Sequence, residues 1–585
     1  MRTFPCNTAY GICRPCPRSQ SEVSSALPAS TLARILQVHP SDNVLVALED
    51  LPAGASVTWY GVDFVLPQAV PVKHKFATEA LDPGQDVTMY GVLVGRAVAR
   101  IEKGERITTS NLRHAAGQFG KRSGAFSWSP PNVDKWRNRT FMGYHRADGQ
   151  IGTANYWLVL PLVFCENRNV DVLRSAFERA LGYSTPDVYY SLVSELVDGY
   201  RSRSTNTAPT DAAVRIDAKH AGSDRFVGDR VFSNVDGVRF LTHEGGCGGT
   251  RQDAHALCGL LSGYLNNPNV AGATVLSLGC QHAQVEMLRK ELAKRNAGFS
   301  KPLLVFEQQR YHSEREMLTD AIRQTFAGIA EADRVGRRPA PLSALTVGVE
   351  CGGSDGFSGI SANPAIGRVS DLVLALGGKA VLSEFPELCG VEQDLIDRCV
   401  DDETADRFAD LMRRYEARAE AAGSGFDMNP SPGNIRDGLI TDAMKSAGAA
   451  KKGGTGPVAD VLDYPEYVRR GGLTLLCTPG NDVESTTAMA GAGCNIMLFS
   501  TGLGTPTGNP ITPVIKVSTN SSLARRMPDI IDYDAGSVIG GGRTIDEAGD
   551  ELFELVIRVA SGEVRTKAEK LEQYDFIPWK RGVSL

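Results

Sequence analysis

From Thr140 onward, short apolar, β-branched runs alternate with segments whose apolar residues recur at helical spacing. Residues 274–278, 303–306, 345–349, 379–382, 473–477, 495–499 and 513–517 read as strands. Residues 253–261, 283–295, 317–327, 368–376 and 483–490 read as helices, with Val285, Leu288 and Leu292 marking one apolar face. Strands spaced by helices form βαβ units, and these build parallel sheets covered on both faces. A polar break over residues 333–341 divides this part into two α/β regions, 140–335 and 342–585, the second expected to be catalytic.

In such sheets ligands bind where strand C-termini meet Gly-rich loops and helix N-termini. The densest loop of this kind is Glu350-Cys351-Gly352-Gly353-Ser354-Asp355-Gly356-Phe357-Ser358-Gly359-Ile360. Four glycines in eleven residues let the backbone come close to a ligand. Between them stand a thiol, hydroxyls and carboxylates that can bind or move protons. A second loop, Thr242-His243-Glu244-Gly245-Gly246-Cys247-Gly248-Gly249-Thr250, runs into a helix and carries an imidazole that titrates near neutrality. Leu278-Gly279-Cys280-Gln281-His282, Lys445, and the stretches holding Asn434, Asn481-Asp482 and Thr505 end further elements. No Walker lysine pattern and no GxGxxG fingerprint occurs, so no nucleotide cofactor is expected. The shared chemistry is hydroxyl, amide and backbone donors, which suits a small polyhydroxylated anion.

Residues 38–115 read as a small β module of short strands separated by turns, and 116–139, with Ser129-Pro130-Pro131, as a linker. Residues 1–37 lack hydrophobic periodicity and read as a disordered tail, an over-long start or an organellar leader; Cys13-Arg14-Pro15-Cys16 has no second pair to complete a zinc site. Among 585 residues the net charge is −6, against a nucleic-acid footprint. The longest apolar runs are too short to span a bilayer, so no membrane partner is expected. Twelve scattered cysteines suit a reducing cytoplasm better than a disulfide framework. A homo-oligomer is compatible with the sequence.

The motifs converge on a family. Val38-His39-Pro40-Ser41-Asp42-Asn43-Val44, His74-Lys75-Phe76-Ala77 and Tyr90-Gly91 resemble the SAF module, a β-clip fold. Gly143-Tyr144-His145-Arg146-Ala147-Asp148-Gly149, Gly152-Thr153-Ala154-Asn155, Cys351-Gly352-Gly353-Ser354-Asp355 and Ser431-Pro432-Gly433-Asn434 resemble the altronate/galactarate dehydratase family. Pro479-Gly480-Asn481-Asp482 and Ala490-Gly491-Ala492-Gly493-Cys494 are closer to its altronate branch. The sequence departs from the family pattern at Lys73, where glycine is usual, at Gln281, where an acid is common, and at Arg310-Tyr311-His312. The resemblance implies an α/β fold with an N-terminal SAF domain followed by two α/β regions with largely parallel sheets.

It also implies a hydro-lyase that turns a sugar acid, D-altronate first, into its 2-keto-3-deoxy product, here 2-keto-3-deoxy-gluconate. Galactarate or another aldarate or aldonate, and a sulfonated hydroxy acid cleaved by a sulfo-lyase, are the alternatives; a fused SAF module disfavours the last. A non-catalytic sugar-acid sensor lacks a DNA-binding motif. The proton to be removed lies α to a carboxylate, so a divalent ion, Fe2+ or Mn2+, is expected as Lewis acid, with a general base and a general acid. An iron–sulfur centre on Cys247, Cys280 and Cys351 is the rival. The candidate catalytic residues are His243, Asp355 and Lys445. The candidate substrate-binding residues are Cys247, Gly248, Cys351, Gly352, Gly353, Ser354, Asn434 and Thr505. His39 and His74 are the candidate metal ligands.

Overall fold

The computed structural model describes residues 34–183, 188–202 and 230–582. The tail assigned to residues 1–37 lies outside this range except at its end, where Ile35–Leu36 is a strand paired antiparallel with Val44–Ala47. The β module therefore starts earlier than residue 38. Lys75–Ala77 completes that sheet, and hairpins Ser56–Trp59/Val62–Val65 and Asp86–Met89/Val92–Ala97 make up much of the rest. Both hairpins turn on a Tyr-Gly pair with positive φ at each residue, Tyr60-Gly61 and Tyr90-Gly91. That backbone matches the right-handed twist of paired strands.

Two parallel sheets follow. The first orders Gly237–Phe240, Tyr156–Pro161, Val270–Ser277 and Leu303–Glu307. Tyr156–Pro161 is apolar on both faces because helices cover both, so period-2 alternation is absent. The second orders Val458–Leu462, Gly472–Leu476, Lys379–Leu382, Thr346–Cys351, Ile496–Thr501, Val514–Ser518 and Tyr533–Asp534. From Thr346–Cys351 the chain builds outward on one side, then crosses back to build Ile496–Thr501 and Val514–Ser518 on the other. The topological switch point thus lies between Thr346–Cys351 and Ile496–Thr501, the place where parallel sheets of this kind take their ligands.

The segment 116–139, expected as a linker, is a strap fixed along the C-terminal domain. Arg122 pairs with Asp402, the indole of Trp128 donates to Thr455, and buried Trp136 donates to Glu554 while packing edge-on to Phe553. One hydrophobic core runs from Val44, Met89 and Ile101 of the β module into Ile360, Ile366 and Met444. Among the described residues no helix is long and apolar enough to cross a membrane.

Candidate active site

Thr346–Cys351 is buried along its whole length and delivers Glu350 and Cys351 to the switch point. The loops that follow it and its neighbour are laced by backbone bonds, Gly352 N–H to the Ser500 carbonyl at 3.1 Å and Gly502 N–H to the Gly353 carbonyl at 3.0 Å. A Cβ on Gly352 would stand 1.9 Å from the Asp482 carboxylate, so the missing side chain leaves that carboxylate, from the first turn of the helix Asp482–Gly491, its place against the strand end.

Around Cys351 the fold buries a cluster of opposite charges. Lys452 Nζ donates to Cys351 Sγ at 2.7 Å and stands 3.9 Å from Glu384. Lys445 Nζ meets Glu387 at 2.6 Å and donates to Asn429 Oδ1 at 3.0 Å. Glu350 Oε2 accepts from Ser485 at 2.6 Å and from Ser383 at 3.2 Å. Burial pushes the Cys351 thiol up to about 11 against the pull of Lys452. Burial and the neighbouring Glu350 and Glu387 hold the Glu384 carboxyl well above the usual carboxylate range. Burial acts the same way on Glu387, but Lys445 and Lys452 outweigh it and hold this carboxyl below its ordinary value. Burial works against the ammonium of Lys445, yet Glu387 and Cys351 keep it protonated. Asp482, partly exposed beside this cluster, is raised to about 6 by burial and by Glu350 and Glu387.

The sequence reading named Lys445, Cys351, Gly352 and Gly353 as site residues here; it placed Lys452 and Asp482 only within loops and motifs, and it did not name Glu384 or Glu387. Glu384 and Glu387 lie just after a strand end in Ser383-Glu384-Phe385-Pro386-Glu387. Two acids after a strand C-terminus were the available signal. Asn434 and Ser354 support the loop from behind: Asn434 Nδ2 donates to the Ser354 carbonyl at 2.7 Å. Thr505 is held by its amide on Thr501 Oγ1 at 3.0 Å and stands close to Gly353.

Asp355 faces the β module. Its carboxylate, fully buried, takes an ion pair from Lys73 at 3.0 Å and hydrogen bonds from Ser358, the Phe357 amide and Asn520. Lys73 also reaches Asp437 at 2.8 Å. Its φ of 73° lies in the left-handed region, which is why glycine suits this position and why the departure to lysine needs compensating contacts. His74 Nε2 bonds the Arg436 carbonyl at 3.1 Å and Lys75 the Gly438 carbonyl at 2.7 Å, so Lys73, His74 and Lys75 together dock the module. Tyr90 completes the docking: a Cβ on Gly359 would come 2.3 Å from its hydroxyl.

His243 occupies a separate cavity of about 710 Å³, bounded by Cys247, His282, Glu484 and Trp579. Gly245 N–H donates to its Nδ1 at 3.1 Å, so Nε2 carries the ring proton and donates to the Pro161 carbonyl at 2.9 Å. Both nitrogens are engaged by backbone, and burial lowers the proton affinity of the ring. Gly248 turns the loop with φ 70°, and the helix start behind it is filled by its own Thr250–Asp253 capping box. Glu484 and Asp482 share the first turn of one helix, Glu484 lining this cavity and Asp482 standing against Gly352. Cys280 is exposed while Cys351 is buried.

Two groups of described side chains place three donor atoms within 4.8 Å of one another, and neither contains His39 or His74. His39 Nδ1 instead bonds Ser41 Oγ at 2.7 Å. Cys351, Glu384 and Glu387 form one group. Both Glu384 oxygens and Glu350 Oε1 are buried without a hydrogen-bond partner among the described residues. Unsatisfied buried carboxylate oxygens fit a hard or borderline divalent ion.

Three stretches match family descriptions. Residues 33–115 match the altronate/galactarate dehydratase SAF domain, 143–333 the second domain of D-galactarate dehydratase/altronate hydrolase, and 342–584 the D-galactarate/altronate dehydratase C-terminal domain. Altronate dehydratase of Bacillus subtilis is 31% identical over 553 residues, 94% of this chain and 99% of that protein. The chain belongs to the altronate/galactarate dehydratase family. Altronate dehydratase of Escherichia coli is 33% identical, again over 94% of this chain and 99% of the relative. Galactarate dehydratase (L-threo-forming) of Escherichia coli is 28% identical over 92% of this chain and 94% of its own length. The chemistry this fold houses is that of a hydro-lyase acting on a sugar acid.

Proposed function

We propose that this chain dehydrates D-altronate to 2-keto-3-deoxy-gluconate in hexuronate breakdown, with the reacting carbons at the mouth of the Cys351 cluster. The observation that carries this reading is a partly exposed carboxylate of raised proton affinity, Asp482, beside a protonated lysine, Lys445, at the switch point of a parallel sheet. Removal of the C2 proton needs a base that is ionised near neutrality yet more basic than an ordinary aspartate, and Asp482 meets that condition. Lys445, oriented by Glu387 and Asn429, donates a proton to the C3 hydroxyl as it leaves. Cys351, Glu384 and Glu387 would hold a divalent ion, Fe2+ or Mn2+, which when bound supplies a Lewis acid to the substrate carboxylate. The Gly352–Gly353 backbone and Thr505 shape the floor on which the polyol lies.

Asp355 and His243 act in this reading as positioning residues, one clamping the SAF domain and the other fixing the loop Thr242 to Gly249. The preference for altronate over galactarate rests on the motifs around Asp482 and Cys494 and on the identities of the two branches. Incubation of the metal-loaded protein with D-altronate, D-mannonate, D-gluconate and galactarate, followed by assay of 2-keto-3-deoxy acids, tests it. Turnover of D-altronate above the others is the expected result, and product from galactarate alone overturns it.

A further inference from the structure

The second group of convergent donors lies where the SAF domain meets the catalytic domain. His114 directly follows the strand Leu112–Arg113 of the β module. Cys389 follows the turn Phe385–Leu388, two residues beyond Glu387. Asp442 opens the helix Asp442–Ala449, three residues before Lys445. Three remote segments thus bring an imidazole, a thiol and a carboxylate within 4.8 Å of one another. The His114 Nε2 and Cys389 Sγ are 3.9 Å apart. Thr441, which caps the helix, also donates to the Val94 carbonyl of the β module at 2.6 Å, so the helix start is held against that module independently of the three donors.

Charge and hydrogen bonding both leave this group incomplete. Asp442 is fully buried, its Oδ1 takes a 3.5 Å contact from Ser446, its carboxyl also meets the Cys389 thiol, and its Oδ2 satisfies no hydrogen bond among the described residues. Burial first, and then Glu387 and Glu392, hold this carboxyl well above the usual carboxylate range, and the lysine that opposes them, Lys445, is already paired with Glu387. Burial lowers the proton affinity of His114, which keeps its ring neutral, the form that ligates metals. The Nδ1 of that ring accepts a long 3.4 Å contact from the Ala443 amide. A ring that ligates through Nε2 gives up that contact and carries its proton on Nδ1.

We propose that His114, Cys389 and Asp442 form a second metal site, for a divalent transition metal of the zinc class, which fastens the SAF domain to the catalytic domain behind the Glu387–Lys445 pair. One thiolate, one imidazole and one carboxylate are a borderline donor set of the kind zinc takes, with a fourth position left for water. Binding displaces the thiol proton of Cys389 and the proton of Asp442 to solvent, and the ion balances the thiolate and carboxylate so formed.

Cobalt(II) is the probe. The full-length Cys351→Ser variant, stripped of metal, removes the thiol of the other donor group. On titration with Co2+ it is expected to develop a near-ultraviolet thiolate-to-cobalt band that saturates at one ion per chain and is bleached by Zn2+. Adding Cys389→Ser should abolish the band, and adding His114→Gln should weaken cobalt binding at least about tenfold, the usual effect of losing a metal-site partner. Circular dichroism establishes that each variant folds. Should Cys389→Ser not fold, mass spectrometry of the Cys351→Ser parent reads whether Zn2+ protects Cys389 from alkylation. No band in the parent, a band that survives Cys389→Ser, unchanged affinity in His114→Gln, or unprotected Cys389 would each overturn the site.

Discussion

Asp482→Asn separates catalysis from stability and is expected to move them in opposite directions. The fold raises this carboxyl from an ordinary 3.8 to about 6. Each tenfold change in proton affinity is worth about 1.4 kcal/mol, so the ionised side chain costs the fold roughly 3 kcal/mol. Partial exposure screens part of this, and an acid in the first helical turn also gains about 0.3–1 kcal/mol from the helix dipole. Asparagine should therefore stabilise the protein by about 1–2 kcal/mol at pH 8, a rise in Tm of about 3–6 °C on the scale of a domain this size. The sign follows from the raised carboxyl: the cost is absent below pH 3.8, grows between 3.8 and about 6, and is complete above 6. The gain should accordingly shrink when melting is repeated at pH 5. As the general base, Asp482 should contribute roughly 10²–10⁴-fold to kcat, and the wild-type fall in kcat/KM below about pH 6 should be lost in the residual activity of the variant. An unchanged kcat removes Asp482 from the chemistry, and a lower Tm at pH 8 refutes the electrostatic reasoning.

Lys73→Met strands the fully buried Asp355 without its cation and should cost about 3–5 kcal/mol, whereas Lys73→Gly should lose less because it relieves a left-handed φ worth about 1–2 kcal/mol; chemical denaturation of both compares them. Chelation should abolish turnover and Fe2+ or Mn2+ should restore it without sulfide; full activity in metal-free protein overturns the metal assignment. His243→Asn should lower Tm by breaking two backbone contacts, at about 1–3 kcal/mol, with kcat per folded molecule nearly unchanged; a loss of roughly 10²-fold or more at normal Tm would falsify its positioning role.

Much of the architecture was legible in local pattern. The runs at 303–306, 379–382 and 513–517 became Leu303–Glu307, Lys379–Leu382 and Val514–Ser518, because a short, largely apolar run bounded by polar or turn residues is the local mark of a strand packed against helices. Other elements were harder to see. The helix Asp402–Ala421 is long but largely polar on its outer face, and Tyr156–Pro161 shows no alternation. The Gly-rich loop of Cys351 announced a site from its composition alone. Its glycines turned out to serve two ends, Gly352 admitting Asp482 and Gly359 admitting Tyr90 of the SAF domain.

What the sequence by itself determined is the alternation of strands with helices, the SAF module and the family, since each rests on spacing within one segment. Tertiary structure decided which polar groups work together. Glu384 and Glu387 come from one loop, Lys445 and Lys452 from a helix and the turn after it, and Asp482 from another helix start, so their meeting depends on strand order across the switch point. His243 and Asp355 show the converse, for their motifs are reactive on paper while the fold spends their lone pairs on a backbone amide and on Lys73. Proton affinity follows burial and the charges facing a group from other elements, and both are set only when distant segments pack.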